Sequence, residues 1–258
     1  MTLRTVNTGD VLLFSGNNPT GVLLKIFVSS EYNHSGIAVR IKDKQPTFDL
    51  DGELYVYETN TGSRYDEVFD REMIGAAFSK LSFVLAKYNK VSCRPLISTL
   101  RRPELLGNTM RFVAKHQGTE FPSSSLPFLS VWLGMDLAEG DKGPDMFCSE
   151  LMANYYLQCV GPIYEHLCRT GNDITLPMLF GAGLPREAAM YTPGHYGTLL
   201  SPHACIFSGP EVTIYTHQGD LLYTAMQPAL FGLAALVLIW MSLPHENEQV
   251  NNKDKWRG

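Results

Sequence analysis

The stretch Tyr32-Asn33-His34-Ser35-Gly36-Ile37-Ala38-Val39-Arg40-Ile41 alternates with the period of an extended strand. Ser35, Ile37, Val39 and Ile41 fall on one face, an ordinary core face. His34, Gly36 and Ala38 fall on the other, where a histidine is followed by two very small residues that leave room for another element to approach. Upstream, Val11-Leu12-Leu13-Phe14 follows Gly9-Asp10 and reads as a short buried strand. Downstream, Leu54 to Thr59 and Leu81 to Tyr88 are β-rich. On the first of these, Leu54, Val56 and Glu58 share a face, so a carboxylate closes an apolar row and can hydrogen-bond an imidazole.

Two helical patterns follow. Pro103 to His116 places Leu105, Leu106, Thr109, Phe112 and Val113 on one side. After a Pro-, Ser- and Gly-rich stretch from Phe121 to Pro144, interrupted by Leu126 to Leu133, Phe147 to Val160 reads as a second helix with Asp145 as its N-cap. Strands clustered before this last helix make the fold class α+β. Cys148 falls in the first turn, where unpaired amides and the helix dipole favour a thiolate. It also begins the face of Leu151, Met152, Tyr155 and Cys159, so it points inward. A thiol at a helix start, packed on a strand that carries a histidine oriented by a third polar residue, is the arrangement of a cysteine nucleophile. Each residue also has a plainer role: buried cysteines are commonly inert, His34 suits a turn or core, Glu58 a solvated strand end, and Glu150 the helix dipole.

Composition narrows the class. The 258 residues are 45% apolar and 18% charged, which excludes disorder. Five cysteines, an odd number, argue against a disulfide framework and for reduced thiols. Cys93, Cys159 and Cys168 read as packing residues. A net charge of −5 supplies no basic field, and no Walker loop or G-x-G-x-x-G is present, so nucleic acid and nucleotide cofactors are not expected. His195, His203, Cys205 and His217 are metal-ligating types without metal-ligand spacing, and no metal or cofactor is expected.

The chain closes on a different kind of segment. Ala229 to Leu243 is uncharged and apolar all round, and with Leu221 to Pro228 it makes 23 residues without a charged side chain. A bilayer core takes about 20 such residues, so 221–243 is expected to be a transmembrane helix, the rival being a helix buried over the domain. The polar tail 244–258 carries Lys253, Lys255 and Arg257, which by themselves favour a cytosolic tail. The N-terminus has neither a signal-like apolar run nor Gly at position 2. The expected localisation is a single-pass membrane anchor carrying a cytosolic domain.

Four strings in order, Thr8-Gly9-Asp10-Val11-Leu12-Leu13-Phe14, Tyr32 to Val39, Tyr55-Val56-Tyr57-Glu58 and Phe147-Cys148-Ser149-Glu150-Leu151, resemble the circularly permuted NlpC-type papain-like superfamily. The clade concerned is similar to lecithin retinol acyltransferase and includes proteins of bacteria and large DNA viruses. The resemblance spans about residues 5–165 and has His34 precede Cys148, the reverse of ordinary papain order. It implies a papain-like domain over 1–185, with a helix packed on an antiparallel sheet, followed by an extension over 186–220. It further implies Cys148 as nucleophile, His34 as base and Glu58 as third polar residue of a thiol hydrolase, thiol protease or acyltransferase. Such an enzyme cleaves an amide, ester or thioester through an acyl-enzyme. Implied partners are peptide, ubiquitin-like or lipid acyl substrates, and the membrane that of a virion or host cell. The alternative is a membrane-anchored binding or structural protein that kept the fold. One departure is Ser35, where the family more often has an apolar residue after its histidine; no effect on the chemistry is expected from it.

Overall fold

The computed structural model describes residues 3–17, 21–22, 25, 30–122, 145–169 and 173–216. β1 (Val11–Ser15) is buried along its whole length, as an apolar run without alternation demands of a central strand. It pairs antiparallel with β2 (His34–Lys42) on one side, Phe14 opposite His34, and with β8 (Lys90–Arg94) on the other. β2 turns back into β3 (Gln45–Thr47) through Asp43 and Lys44, both at positive φ, as a two-residue hairpin turn requires. Beyond β2 lie β4 (Glu53–Glu58) and then β7 (Ala77–Lys80), while β5 (Arg64–Asp66) and β6 (Arg71–Met73) form a small separate ribbon. β9 (Val212–Thr216) adds to β8, and the main sheet runs β7-β4-β2-β1-β8-β9, with β3 paired to β2. The protein is therefore α+β on an antiparallel sheet.

The sheet has a core on each face. Val11, Leu13, Ile37, Val39, Tyr55 and Tyr57 face one cluster; Leu12, Phe14, Ala38 and Val56 face the other. Side chains of this size contribute about 1.5–3 kcal/mol each when fully buried. The stretch Leu81 to Tyr88 corrects its expected strand character: Leu81–Leu85 is a short helix, α1, and β8 begins only at Lys90. Leu81 and Val84, three residues apart, are its buried pair, while Phe83 is 63% exposed, which no strand alternation would allow.

α2 (Pro103–His116) has the expected bounds: Pro103 and Glu104 open it, Lys115 and His116 close it, and Leu105, Thr109, Phe112 and Val113 are buried. The next helix differs from its expected form. α3 spans Cys148–Tyr155, passes through a π-helical turn at Tyr156–Val160, and resumes as α4 (Gly161–Cys168). Pro162 in the first turn of α4 has no N–H to return to the turn before it, which accounts for the wider turn. A short α5 (Leu176–Phe180) follows.

The stretch from 186 onward, set apart in the sequence as an extension, supplies core residues Tyr191, Tyr196, Ile206 and Phe207 and the strand β9. Buried Arg94 on β8 binds it down, donating to the carbonyls of Tyr196, Gly197, Ser201 and Gly209 and to Ser201 Oγ. The chain divides into two units, Met1–Gly219 and Asp220–Gly258. The expected membrane helix 221–243 and the tail 244–258 lie outside the described residues. Among the described residues, no helix is long and apolar enough to cross a membrane.

Candidate active site

His34 is the first residue of β2 and Glu58 the last of β4, so both stand at one end of the sheet. Ile37 pairs with Tyr57, and one step further Gly36 comes opposite Glu58. A Cβ on Gly36 would stand 2.4 Å from Val56 Cγ1 and 3.4 Å from Glu58 Cβ. The room left by the small residue after His34 is thus taken by the neighbouring strand, not by the Cys148 helix, which packs on the Ile37 face with Leu151 and Met152. Close approach of β4 lets the carboxylate reach the imidazole: His34 Nε2 and Glu58 Oε2 are 2.5 Å apart. The other ring nitrogen, Nδ1, takes no part in that bond.

Glu58 is itself held. Ser79 donates its hydroxyl to Oε1 at 3.4 Å, and Arg64 Nη1 lies 3.5 Å from the same oxygen. Arg64 Nη2 also donates to the carbonyls of Glu58, Gly75 and Ala77, which fixes the end of β4 as well as its side chain. The His34 ring lies parallel to Tyr88 at 5.7 Å and beside Phe14 at 5.6 Å, so its plane is set by packing.

Cys148 is the first residue of α3. Asp145 does not cap the helix; Phe147 holds the N-cap position and places no side chain on the first-turn amides. The turn is instead fixed from the 191–196 segment. Ser149 donates its hydroxyl to the Tyr191 carbonyl at 2.6 Å, and Tyr196 donates to the Ser149 carbonyl at 2.5 Å. The Cys148 thiol is electrostatically coupled to the His34 side chain and to Ser35 beside it on β2, whose hydroxyl has no hydrogen-bond partner among the described residues. β2–β4 pairing stops at Ile37, so the Ser35 amide points past the end of β4.

The three side chains are nearly removed from water, at 6% exposure for Cys148, 8% for His34 and 3% for Glu58. Burial opposes charge on each, yet the neighbours prevail. His34 is raised to about 10 because the Cys148 thiolate and the Glu58 carboxylate outweigh its desolvation. Against its own desolvation, Cys148 is lowered by His34 and by Ser35. Glu58 is likewise lowered by His34, Arg64 and Lys87. The other buried thiols go the opposite way: burial pushes up Cys93, beside Asp10, and Cys159. A thiolate–imidazolium pair backed by a carboxylate is a nucleophile with its base already loaded.

The residues singled out in the sequence, Cys148, His34 and Glu58, thus stand together. Arg64, Tyr88, Tyr196 and Ser35 join them. Tyr88 and Tyr196 come from distant segments and Arg64 from six residues beyond Glu58, none with a local signal, whereas Ser35 lay next to His34. His195 accepts a hydrogen bond from the Thr192 amide, His203 and Cys205 are exposed, and His217 lies outside the described residues. Among the described residues no group of three or more His, Cys, Asp or Glu is placed to hold a metal ion.

No family model matches the chain, and no curated protein matches it. Among solved structures it is similar to the metalloprotein YiiX of Escherichia coli O157:H7, DUF1105. The two share 14% identity over 83% of this chain and 98% of that one, with a TM-score of 0.47, a likeness too low to carry fold or function across.

Proposed function

We propose that this protein is a cysteine hydrolase or acyltransferase on a permuted papain-like domain, working through an acyl-enzyme on Cys148. The observation that supports this most is the buried His34, bonded through Nε2 to Glu58 and electrostatically coupled to the buried Cys148. In the proposed reaction the Cys148 thiol proton passes to His34, and the thiolate attacks the carbonyl carbon of an amide, ester or thioester. First-turn amides of α3 face the developing oxyanion. His34 returns its proton to the leaving nitrogen, oxygen or sulfur as the C–X bond breaks. Water or an acyl acceptor then gives a proton to His34 and attacks the thioester, and His34 hands that proton to the Cys148 sulfur as the C–S bond breaks. Glu58 holds the imidazole in register and offsets its charge.

The substrate class follows from location rather than from chemistry. The uncharged run 221–243 favours a membrane anchor and, with it, an acyl lipid or membrane-bound peptide over a freely diffusing substrate. Screening peptide, ubiquitin-like and phospholipid acyl probes tests the proposal. Covalent labelling should map to Cys148 and vanish in Cys148→Ala. Glu58→Gln should slow it about 10- to 100-fold, the worth of a hydrogen bond to a charged group. Equal, slow alkylation of all five cysteines would instead favour a binding protein.

A further inference from the structure

Resting on the reading of Cys148 as nucleophile, we infer that His195 is a positioning residue for it, acting in its neutral form through the peptide that joins Tyr191 to Thr192. That peptide is held on both sides. Its carbonyl accepts the Ser149 hydroxyl at 2.6 Å, and its N–H donates to His195 Nδ1 at 2.9 Å. A peptide group is planar, so a bond on each side sets where its carbonyl points. Ser149, which meets that carbonyl, is the residue after Cys148. The residue after His195, Tyr196, donates to the Ser149 carbonyl. One short turn, Pro193–Tyr196, thus holds the start of α3 at a side chain and at the main chain, where the helix has no side-chain cap of its own.

The hold depends on the protonation state of His195. A backbone N–H can only donate, so Nδ1 is the unprotonated nitrogen and the ring proton sits on Nε2. The Thr192 hydroxyl lies 3.1 Å from the same nitrogen and can donate to it as well. An imidazolium donates from both nitrogens, and its Nδ1–H would face the N–H of Thr192. Burial lowers the His195 pKa from its ordinary value. The bond is therefore present above the unfolded value near 6.5 and is lost as pH falls through the folded value. The other titratable groups around the turn are Tyr191, whose ring lies 5.4 Å from that of His195, Tyr196, and Cys148 and Glu150 on α3. Beyond Tyr196, Arg94 donates to the Tyr196 and Gly197 carbonyls, and Glu211 accepts from Thr198. His195 is lowered by burial and not by these charges. Acid thus frees the Tyr191–Thr192 peptide and, through Ser149, the start of α3.

The test compares wild type, His195→Asn and His195→Leu as full chains in mild detergent. Asparagine Oδ1 stands where Nδ1 does and accepts at every pH, whereas leucine accepts at none. Amide hydrogen exchange, corrected for the intrinsic effect of pH, is read by mass spectrometry on the peptide covering 191–196 at about pH 7.5 and about pH 5. Iodoacetamide alkylation of Cys148 is read at the higher pH. Wild type should lose protection about 3- to 10-fold in acid, the worth of one hydrogen bond, while His195→Asn keeps it and His195→Leu lacks it at both. Alkylation of Cys148 should slow several-fold in His195→Leu and be restored in His195→Asn. Wild-type protection that is equal at the two pH values overturns the role of His195, as does His195→Asn behaving like His195→Leu, the mark of ring packing alone. If His195→Leu does not fold, exchange in wild type and His195→Asn carries the test. A His195→Leu chain that exchanges faster yet labels normally overturns the link to Cys148 and leaves the nucleophile standing. Wild-type Cys148 that labels no faster than the other cysteines overturns the nucleophile, and the positioning role with it.

Discussion

His34 carries the charge balance of the site, and its pH behaviour can be worked out from its partners. Its pKa is raised to about 10, so its contribution to stability is complete below the unfolded value near 6.5 and is lost as pH rises towards 10. Cys148 is lowered, so its contribution is present above the unfolded value near 8.5 and is lost as pH falls through its folded pKa. Between about 6.5 and 8.5 the His34 contribution, falling as pH rises, and the Cys148 contribution, falling as pH drops, oppose each other. Urea unfolding of wild type, minus that of a Cys148→Ala/His34→Gln double variant, should give a plateau over this range and fall on both sides. A difference that rises steadily from pH 5 to 10 would show that the pair is not charged. At this scale much was legible, because a histidine before two small residues and a cysteine opening a helix are local patterns. Arg64 and Tyr88 were not, since nothing near them in the chain records that they end beside Glu58 and His34.

The start of α3 is the element on which the site depends. Its N-cap has no side-chain hydrogen bond, and its first turn is held by Tyr196 and by Ser149 reaching across to Tyr191. Tyr196→Phe removes the donor that the Ser149 carbonyl accepts beside its own helical bond, at a cost of about 0.5–1.5 kcal/mol. It should also slow alkylation at Cys148 several-fold while leaving Cys168 unaffected, as competitive labelling would show. A variant that loses stability but labels normally would mean that the helix start is set by the core instead. Pro103 to His116 was legible to the residue, because its proline, charges and apolar spacing agree. The segment 81–88 was not: over so short a run the alternation of Leu81 and Phe83 fits a strand as well as a helix, and packing against β4 decided. Asp145 suited a cap by type, yet the helix begins at Cys148, beyond its reach.

For the whole molecule, the described chain up to Thr216 forms one body in which the late segment is essential. Arg94 clamps residues 196–209 through five hydrogen bonds, so this part is core and frame for the site. Truncation after Gly219, at the boundary between the two units, should therefore leave a domain that unfolds cooperatively and keeps Cys148 labelling, while membrane flotation is lost. Flotation that survives the cut would place membrane affinity elsewhere, and a cut that unfolds the domain would make 221–243 part of its core. The sequence by itself determined the α+β class, the central strands and the helix at Pro103, and it singled out Cys148, His34 and Glu58 as candidates. Periodicity, helix-start chemistry and residue type are properties of neighbours in the chain. Only the tertiary structure decided which face of β2 receives α3, that the gap beside Gly36 admits β4, that Arg64 and Tyr88 settle against Glu58 and His34, and that Tyr196 holds the start of α3. Those choices depend on the register of strands and on the packing of separate segments against one another, about which short-range pattern holds no information.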